Sequence, residues 1–271
     1  MDAVGRAEGF LRLHAAGDPL LMPNPWDAGS AKVLVSLGFR ALATTSSGSA
    51  AAVGRLDGSL RRDEALAHAA SIVDATELPV SADFENGFAT DAAGVAETVS
   101  LAVSIGLAGC SVEDSTGQAE APIFELAEAA ERVAAAAEAA HRGPVHLVLT
   151  ARAENYLHGR SDLADTIARL QAFEAAGADV LYAPGLRDIE DIRAVVASVG
   201  LPVNVLAMPG VSPVAALAAA GVRRGSVGGA FTWVAIDALV GAARELLDEG
   251  TFGYLESAAR GGTVARAAFR P

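Results

Sequence analysis

The sequence predicts an α/β fold, a (β/α)8 TIM barrel, on three observations. From residue 20 onward, eight short apolar runs rich in small and β-branched residues alternate with stretches of helical period. Composition does not shift at any joint, so residues 1–271 read as a single domain. No glycine-rich turn follows the first run, as an open doubly wound sheet would require.

The elements follow in order. Residues 1–19 begin MDAVGRAEGFLRLH, an amphipathic helix charged throughout, unlike a secretory leader. Strands are expected at 20–24 (LLMPN), 41–45 (ALATT), 79–85 (PVSADFE), 109–114 (GCSVED), 145–152 (VHLVLTAR), 179–184 (DVLYAP), 202–207 (PVNVLA) and 223–229 (RRGSVGG). Helices are expected between them at 27–38, 61–76, 90–105, 122–141, 161–176, 188–199, 212–220 and 230–248, with Thr90, Ser161 and Ser212 as N-cap candidates. Gly38, Gly106, Gly143, Gly177, Gly200 and Gly221 sit where units close. The uncharged stretch 194–222 carries Asn204, three prolines and several glycines, which makes it a buried strand with flanking turns and not a membrane span. Residues 251–271 are left over as a tail.

Composition narrows the chemistry. Of the 20 Lys+Arg residues in a chain of net charge −13, only Lys32 is a lysine. That excludes a GK[ST] phosphate loop and a lysine-rich patch for nucleic acid or acidic lipid, and it leaves no second lysine for a Schiff base. A net-acidic chain repels polyanions, so a small-molecule partner is expected, with no nucleic acid and no membrane. One cysteine, Cys110, precludes an internal disulfide framework. With no targeting segment in view, a cytoplasmic location is expected.

In a barrel of this type the chemistry lies in the loops at the carboxyl ends of the strands. The third run ends Ala82-Asp83-Phe84-Glu85-Asn86-Gly87, and strand alternation puts Asp83 and Glu85 on one side. The fourth ends Val112-Glu113-Asp114, bringing three or four acids to one rim. Acids so close raise each other's pKa unless a cation intervenes, and all-oxygen ligation favours Mg2+ before Ca2+ or Mn2+. The alternative is that they cap helices or pair with arginines. Thr44-Thr45-Ser46-Ser47-Gly48-Ser49 offers hydroxyls and backbone N–H groups to a carboxylate or phosphate, or is an ordinary turn. Arg152, ending the fifth run, suits a bidentate clamp on a substrate carboxylate, or a buried pair with Glu85 or Glu113. Asn204, amid apolar residues, is a substrate contact or a satisfied core amide. Val227-Gly228-Gly229-Ala230 forms either a phosphate cradle or a tight strand-to-helix joint.

The ordered segments NPWDAGSA (24–31), TTSSGSAAAVGRLDG (44–58), SADFENGF (81–88), GCSVED (109–114), LTARAE (149–154), GADVLYAPG (177–185) and PVNV (202–205) resemble the isocitrate lyase/phosphoenolpyruvate mutase superfamily across nearly the whole chain. The resemblance implies a barrel whose last helix is exchanged with a neighbouring subunit, in a dimer that pairs into a homotetramer, with the tail 251–271 packing on another subunit. It implies Mg2+ (or Mn2+) near Asp83, Glu85 and Glu113, with Asp83 the direct ligand. It places Ser46, Ser47, Gly48, Arg152 and Asn204 at substrate positions, Asp57 in a mobile segment after the second strand, and Trp26 on the pocket wall. The shared step is formation of a pyruvate-like enolate.

The chain also departs from the pattern. Lyases of the family carry a Lys-Lys-Cys-Gly loop after the fourth strand, whereas this chain has Ser115-Thr116-Gly117-Gln118-Ala119-Glu120. The sixth run ends Ala183-Pro184-Gly185 where the family has a glutamate or histidine. The expected function is therefore a Mg2+-dependent lyase cleaving a C–C bond of a small α-keto or 2-hydroxy di- or tricarboxylate (isocitrate, 2-methylisocitrate or oxaloacetate type). Arg152, Asp57 and Glu113 are the catalytic candidates, and Asp57, Glu120 or a metal-held water the proton donor. Alternatives are a P–C bond enzyme acting on phosphonopyruvate and a catalytically weak α-keto-acid-binding barrel.

Overall fold

The computed structural model describes residues 2–15 and 17–270. Residues 1, 16 and 271, which fall in the expected N-terminal helix and tail, lie outside the described residues.

Eight parallel strands form the barrel: β1 Leu20–Met22, β2 Leu42–Ala43, β3 Val80–Asp83, β4 Gly109–Glu113, β5 Val148–Arg152, β6 Val180–Tyr182, β7 Val203–Leu206 and β8 Arg224–Ser226. They pair in the order β1-β8-β7-β6-β5-β4-β3-β2, and a hydrogen bond from Ala43 N–H to the Pro23 carbonyl (3.1 Å) links the two ends. Each expected run contains one strand. The helices are α1 Ala3–Ala15, α2 Ala28–Ser36, α3 Ser46–Ala52, α4 Arg62–Val73, α5 Ala92–Ser104, α6 Leu126–His141, α7 Leu163–Ala175, α8 Ile189–Ser198, α9 Val214–Ala219, α10 Ala230–Arg244 and α11 Leu255–Ala268, with a π-helical turn Glu245–Glu249 after α10. No described helix is long and apolar enough to cross a membrane.

Two details differ from the sequence expectation, and the tail takes a defined place. The hydroxyl-rich segment after β2 is a helix, α3, whose N-cap Thr45 accepts a hydrogen bond from Gly48 N–H. Two caps fall one residue later than expected, because Asp91 and Asp162 present stronger acceptors than Thr90 and Ser161, and α9 has Pro213 at its N-cap position and no side-chain cap. The tail folds as α11 and lies against α2 of its own chain, where the Phe269 ring reaches Gly29.

Alternation along the strands sorts two cores. Val80, Ala82, Cys110, Val112, Leu149, Ala151, Leu181, Val203 and Val205 face outward into the helix layer, where alanine-rich α6 buries Ala129, Ala136, Ala137 and Ala140. Inside the barrel the amino-terminal end is apolar, with Leu20, Met22, Ala41, Val148 and Val180 closed from below by Phe10 of α1. Gly109 is required by this plug, since a Cβ there would lie 2.7 Å from Phe10 Cε1. Higher up the interior turns polar, with Ser81, Ser111, Thr150, Asn204, Arg224 and Ser226 all buried. The fold thus makes a well, sealed at one end and polar toward the other.

On the outside, α10 leaves the barrel wall. Thr232 is its one buried residue, and Trp233, Val234, Leu239 and Val240 are exposed. An apolar groove of about 330 Å3 lies over β8 and β1, lined by Leu21, Phe39, Val205, Val214 and Leu217 among others.

Candidate active site

At the carboxyl ends of the strands a cavity of about 190 Å3 is lined by Asn24, Thr44, Ser46, Ser47, Asp57, Ser81, Asp83, Ser111, Arg152, Tyr182, Arg224, Ser226 and the Gly228–Gly229 turn, among others. Arg152 is its hub. Its Nη1 donates to Asp83 Oδ1 (2.8 Å), its Nη2 lies 3.1 Å from Glu113 Oε2, and its Nε donates to Glu154 Oε1 (2.9 Å). The Tyr182 ring stands 5.2 Å beneath the guanidinium carbon. Burial works against the charged guanidinium, but Glu154, Glu113 and Asp83 outweigh it and raise the Arg152 pKa well above its usual value.

Asp83 is held from several sides. Its carboxylate also accepts from Ser46 N–H (3.2 Å), Glu85 N–H (3.3 Å) and Ser111 Oγ (3.4 Å), while its own N–H donates to Thr44 Oγ1 (2.9 Å). Helix α3 thereby presents its first backbone N–H to the acid at the end of β3. The chain then turns sharply, with Glu85 in the left-handed region at φ 48° and Gly87 at φ 81°. Arg132 Nη2 fixes this turn from behind by donating to the carbonyls of Asn86 (2.7 Å) and Ala89 (2.9 Å).

The acids outnumber the cation. Burial raises Glu85 to about 7, with Asp83 and Asp57 pushing the same way against Arg152. Burial likewise raises Glu113 well above its ordinary value, with Arg152 opposing and Glu154, Asp83 and Glu85 reinforcing.

The structure brings Ser46, Ser47, Asp57, Asp83 and Arg152 to the cavity wall. Glu113 meets Arg152 just behind it, and Glu85 adds its charge from the turn beyond Asp83. Gly48 is buried in α3, where a Cβ would sit 2.7 Å from Thr232 Oγ1, so its role here is close packing. Trp26 stands outside the cavity, in a second hollow with Val33, Leu34, Phe231 and Phe269. Asn204 lies within the wall and donates to Ser226 Oγ at 2.9 Å. Asp114 points away from the rim: it pairs with Arg169 (2.9 Å) and accepts from Glu154 N–H (2.8 Å). Segment 115–121 is tied into its own turn by the Ser115–Ile123 bridge and by Thr116 N–H to the Pro122 carbonyl, and contributes nothing to the cavity. Cys110 is fully buried, and burial pushes its thiol up to about 12. The Val227–Gly229 turn is a tight joint, since Asn24 Oδ1 takes the N–H groups of Val227 and Gly228 (3.0 Å each).

Sequence reasoning missed Asn24, Glu154, Tyr182, Arg224 and Ser226. For the strand residues a signal was present: each lies two positions from another inward-facing residue on its own strand or just beyond it, and period two links them.

The sequence profile of the phosphoenolpyruvate phosphomutase family matches residues 10–247. The chain belongs to this family. It thus falls in the isocitrate lyase/phosphoenolpyruvate mutase superfamily of lyases and mutases. Among structures similar to this family member, one from Burkholderia cenocepacia J2315, provisionally named a lyase/mutase, is 48% identical with a TM-score of 0.96, covering 99% of this chain and 97% of that one. Oxaloacetate acetylhydrolase bound to its product oxalate is 26% identical with a TM-score of 0.84, covering 93% and 90%. Oxaloacetate decarboxylase of Pseudomonas fluorescens (strain Pf-5) is 28% identical over 258 residues, 88% of this chain and 83% of that protein.

Superfamily enzymes typically depend on a divalent metal. In this family member the donor set at the strand ends fits such an ion, because Asp83, Glu113 and Glu154 surround one guanidinium, Glu85 adds its charge from the adjoining turn, and two of the four, Glu85 and Glu113, are pushed toward protonation. Among the described residues, the one group of His, Cys, Asp and Glu donors converging within 4.8 Å is elsewhere: His141, His146 and Asp179 at the opposite end of the barrel. An ion at the strand ends would therefore be held by one or two carboxylates with water completing its shell, a habit of Mg2+. At the opposite end, His141 and His146 stack at 4.0 Å and place one Nε2 on each Asp179 oxygen (3.0 and 2.8 Å), bracing α6 to the start of β6.

Proposed function

We propose that this chain is a divalent-metal-dependent lyase, with Mg2+ the first choice, that cleaves a C–C bond of a small α-keto or 2-hydroxy dicarboxylate, decarboxylation of oxaloacetate being the version its site obstructs least. One observation carries the reading. The cavity keeps a charged Arg152 ringed by Asp83 and Glu113, while segment 115–121, where related lyases keep their acid, stands outside it and has neither cysteine nor lysine. Carbon dioxide leaves unprotonated, so a decarboxylase needs no acid on the departing fragment. A bound divalent ion supplies Lewis-acid stabilisation of negative charge on the substrate's keto oxygen.

The chain's own residues do the rest. Arg152 is preorganised by three carboxylates and directs its charge into the cavity, where it offsets charge developing on the substrate. Ser46 and Ser47 offer hydroxyls beside Asp83 for the carboxylate that stays. Asp57 on the cavity wall is positioned to return a proton to the product. The names borne by the similar oxaloacetate decarboxylase and oxaloacetate acetylhydrolase support a C4 α-keto dicarboxylate. A second reading, a P–C bond enzyme on phosphonopyruvate, draws on the family profile itself.

The exposed face of α10 and the apolar groove over β8 and β1 support a homodimer that exchanges α10, with pairing into a tetramer. Light scattering on the full chain and on a form ending at residue 229 tests it: loss of the dimer on truncation is expected, and a monomeric full chain refutes it.

The activity test incubates the protein with Mg2+ or EDTA and oxaloacetate, 2-methylisocitrate, isocitrate or phosphonopyruvate, and assays pyruvate, glyoxylate, succinate and phosphate. Pyruvate from oxaloacetate, abolished by EDTA and by Asp83→Ala, is expected. Metal-independent turnover, or an unchanged rate in Asp83→Ala, overturns the mechanism. No product from any substrate, alongside a Mg2+-dependent thermal shift with an α-keto acid, turns the reading to a binding protein.

A further inference from the structure

Arg224 opens β8 with its side chain turned into the barrel, and only 4% of its surface is accessible. Its single hydrogen bond runs from Nη1 to Thr150 Oγ1 at 3.0 Å. Its Nε is buried with no acceptor at all. Among the described residues no carboxylate comes within ion-pairing distance of it. The other arginines of the interior differ in what answers them: Arg152 and Arg169 have carboxylates, and Arg132, whose Nε and Nη1 also lack acceptors, has two carbonyls and the Phe124 ring and lies outside the cavity. Asn204, paired with Arg224 in register, does not answer it, because the amide oxygen is itself without a partner and its nitrogen is spent on Ser226.

A buried guanidinium with donors unused is costly, and protein interiors rarely leave such a group unanswered. Burial, with Arg152 adding repulsion, lowers the Arg224 pKa to about 10, so the group is still a cation at neutral pH. Tyr182, the acidic group whose charge would favour it, is neutral there, since burial pushes its hydroxyl up to about 12. Arg224 also lines the same cavity as Arg152, Asp83, Ser46 and Ser47, on the side toward the sealed end of the well. The missing counter-charge therefore has one place from which to come, the cavity itself.

We propose that Arg224 is an anion-binding subsite that takes the second carboxylate of a dicarboxylate, the one remote from the keto group, seating it deep in the well while the keto end faces Arg152 and Asp83. The inference rests on the lyase reading for which end reacts, but the subsite stands or falls on binding alone. It makes Arg224 an anchoring residue that selects dianionic over monoanionic substrates; with oxaloacetate the carboxylate it holds is the one that departs as carbon dioxide.

The test uses calorimetry on the full chain with Mg2+ and without turnover. Oxalate, malonate and succinate, whose carboxylates are separated by different lengths, are titrated beside acetate and pyruvate. At least one dicarboxylate should bind about tenfold or more tighter than the monocarboxylates, the scale of a charge-assisted hydrogen bond. In Arg224→Gln that advantage should vanish, with the monocarboxylate affinity within about twofold of wild type. A general structural defect would lower both classes together, and that result, with folding intact by circular dichroism, overturns the proposal. So does an undiminished preference in the variant. Should Arg224→Gln fail to fold, Arg224→Lys decides: it keeps the charge and loses the planar fork, so the preference should shrink at least about threefold, and an unchanged preference refutes the subsite. Dicarboxylate selectivity lost in Arg224→Gln, in a protein that turns over none of the four substrates, supports this inference while sinking the lyase reading. Turnover with an unchanged oxaloacetate KM in Arg224→Gln does the reverse.

Discussion

Replacing Arg152 by glutamine removes the one cation from a ring of three carboxylates. The side chains are nearly dry, with 13% of Arg152, 16% of Asp83, 14% of Glu113 and 4% of Glu154 accessible. Deleting one member of a buried ion pair costs about 3–5 kcal/mol, and for a chain of this size each kcal/mol moves the melting point by about 2–4 °C. A fall of about 6–20 °C at neutral pH is therefore expected without metal. The pH dependence supplies the sharper check. Glu113 is already raised, by burial first, with Arg152 as the opposing influence. Loss of Arg152 raises it further. An acid whose folded pKa exceeds its unfolded value retains its proton longer in the fold, so stability declines as pH climbs between the two. The deficit of Arg152→Gln should thus be small at pH 5.5 and large at pH 8, measured by scanning fluorimetry in EDTA. A difference under about 2 °C at pH 8, or a larger deficit at pH 5.5, would refute the charge accounting.

Four further outcomes are expected. Asp57→Asn should lower kcat on oxaloacetate about 100-fold while Glu120→Gln leaves it unchanged, because Asp57 lines the cavity and segment 115–121 does not; equal effects would remove Asp57 as donor. Asp179 lies below its usual pKa because, although burial pushes it up, hydrogen bonds from His141, Leu149 N–H and His146 prevail. Its contribution is present above its unfolded value and fades as pH falls through the folded one, so Asp179→Asn should cost about 1–3 kcal/mol in urea melts at pH 7 and much less at pH 3. Gly109→Ala forces a Cβ to 2.7 Å from the Phe10 ring and 2.8 Å from the Val148 carbonyl, an expected loss of about 1–3 kcal/mol that Phe10→Ala should partly relieve; strict additivity in the double mutant would place the ring elsewhere. Cys110, fully buried with its thiol pushed up to about 12, should resist maleimide in the native protein and react after unfolding, whereas rapid native labelling would contradict its burial.

The strands were legible because each was a short apolar run rich in small and β-branched residues, set between stretches of helical period, and all eight runs contain a strand in the structure. Helix α3 was not, because Thr-Thr-Ser-Ser-Gly-Ser has the composition of a turn and becomes helical through a capping Thr45 and a Gly48 small enough to meet Thr232. Within the site, Arg152, Asp83 and the serines announced themselves at strand ends. Arg224 did not: it follows Arg223, and two arginines at a strand's start read as surface charge. Only the phase relation to Ser226 two residues later separates them, Arg224 pointing inward and Arg223 outward to the Gly17 carbonyl. Asp114 shows the converse, an acid beside Glu113 whose direction follows from the same alternation and which pairs with Arg169 behind the wall. The inside of a barrel is assembled from residues far apart in sequence, so which charges lack partners is decided by closure and not by neighbours along the chain.

The plug at the sealed end also bears on how the molecule is made. Phe10 is synthesised before every strand of the barrel, yet its resting place is built by Ala108, Val148 and Val180, the last of them about 170 residues further along the chain. Helix α1 therefore has nowhere to dock while the first half of the barrel is being synthesised, and its apolar stripe must wait, exposed, for strands that do not yet exist. Contacts of such long sequence separation form late and slowly. The emerging barrel thus carries an uncovered apolar helix through most of its synthesis, which makes closure of the barrel floor, and not the chemistry at its mouth, the step where a folding helper has the most to contribute.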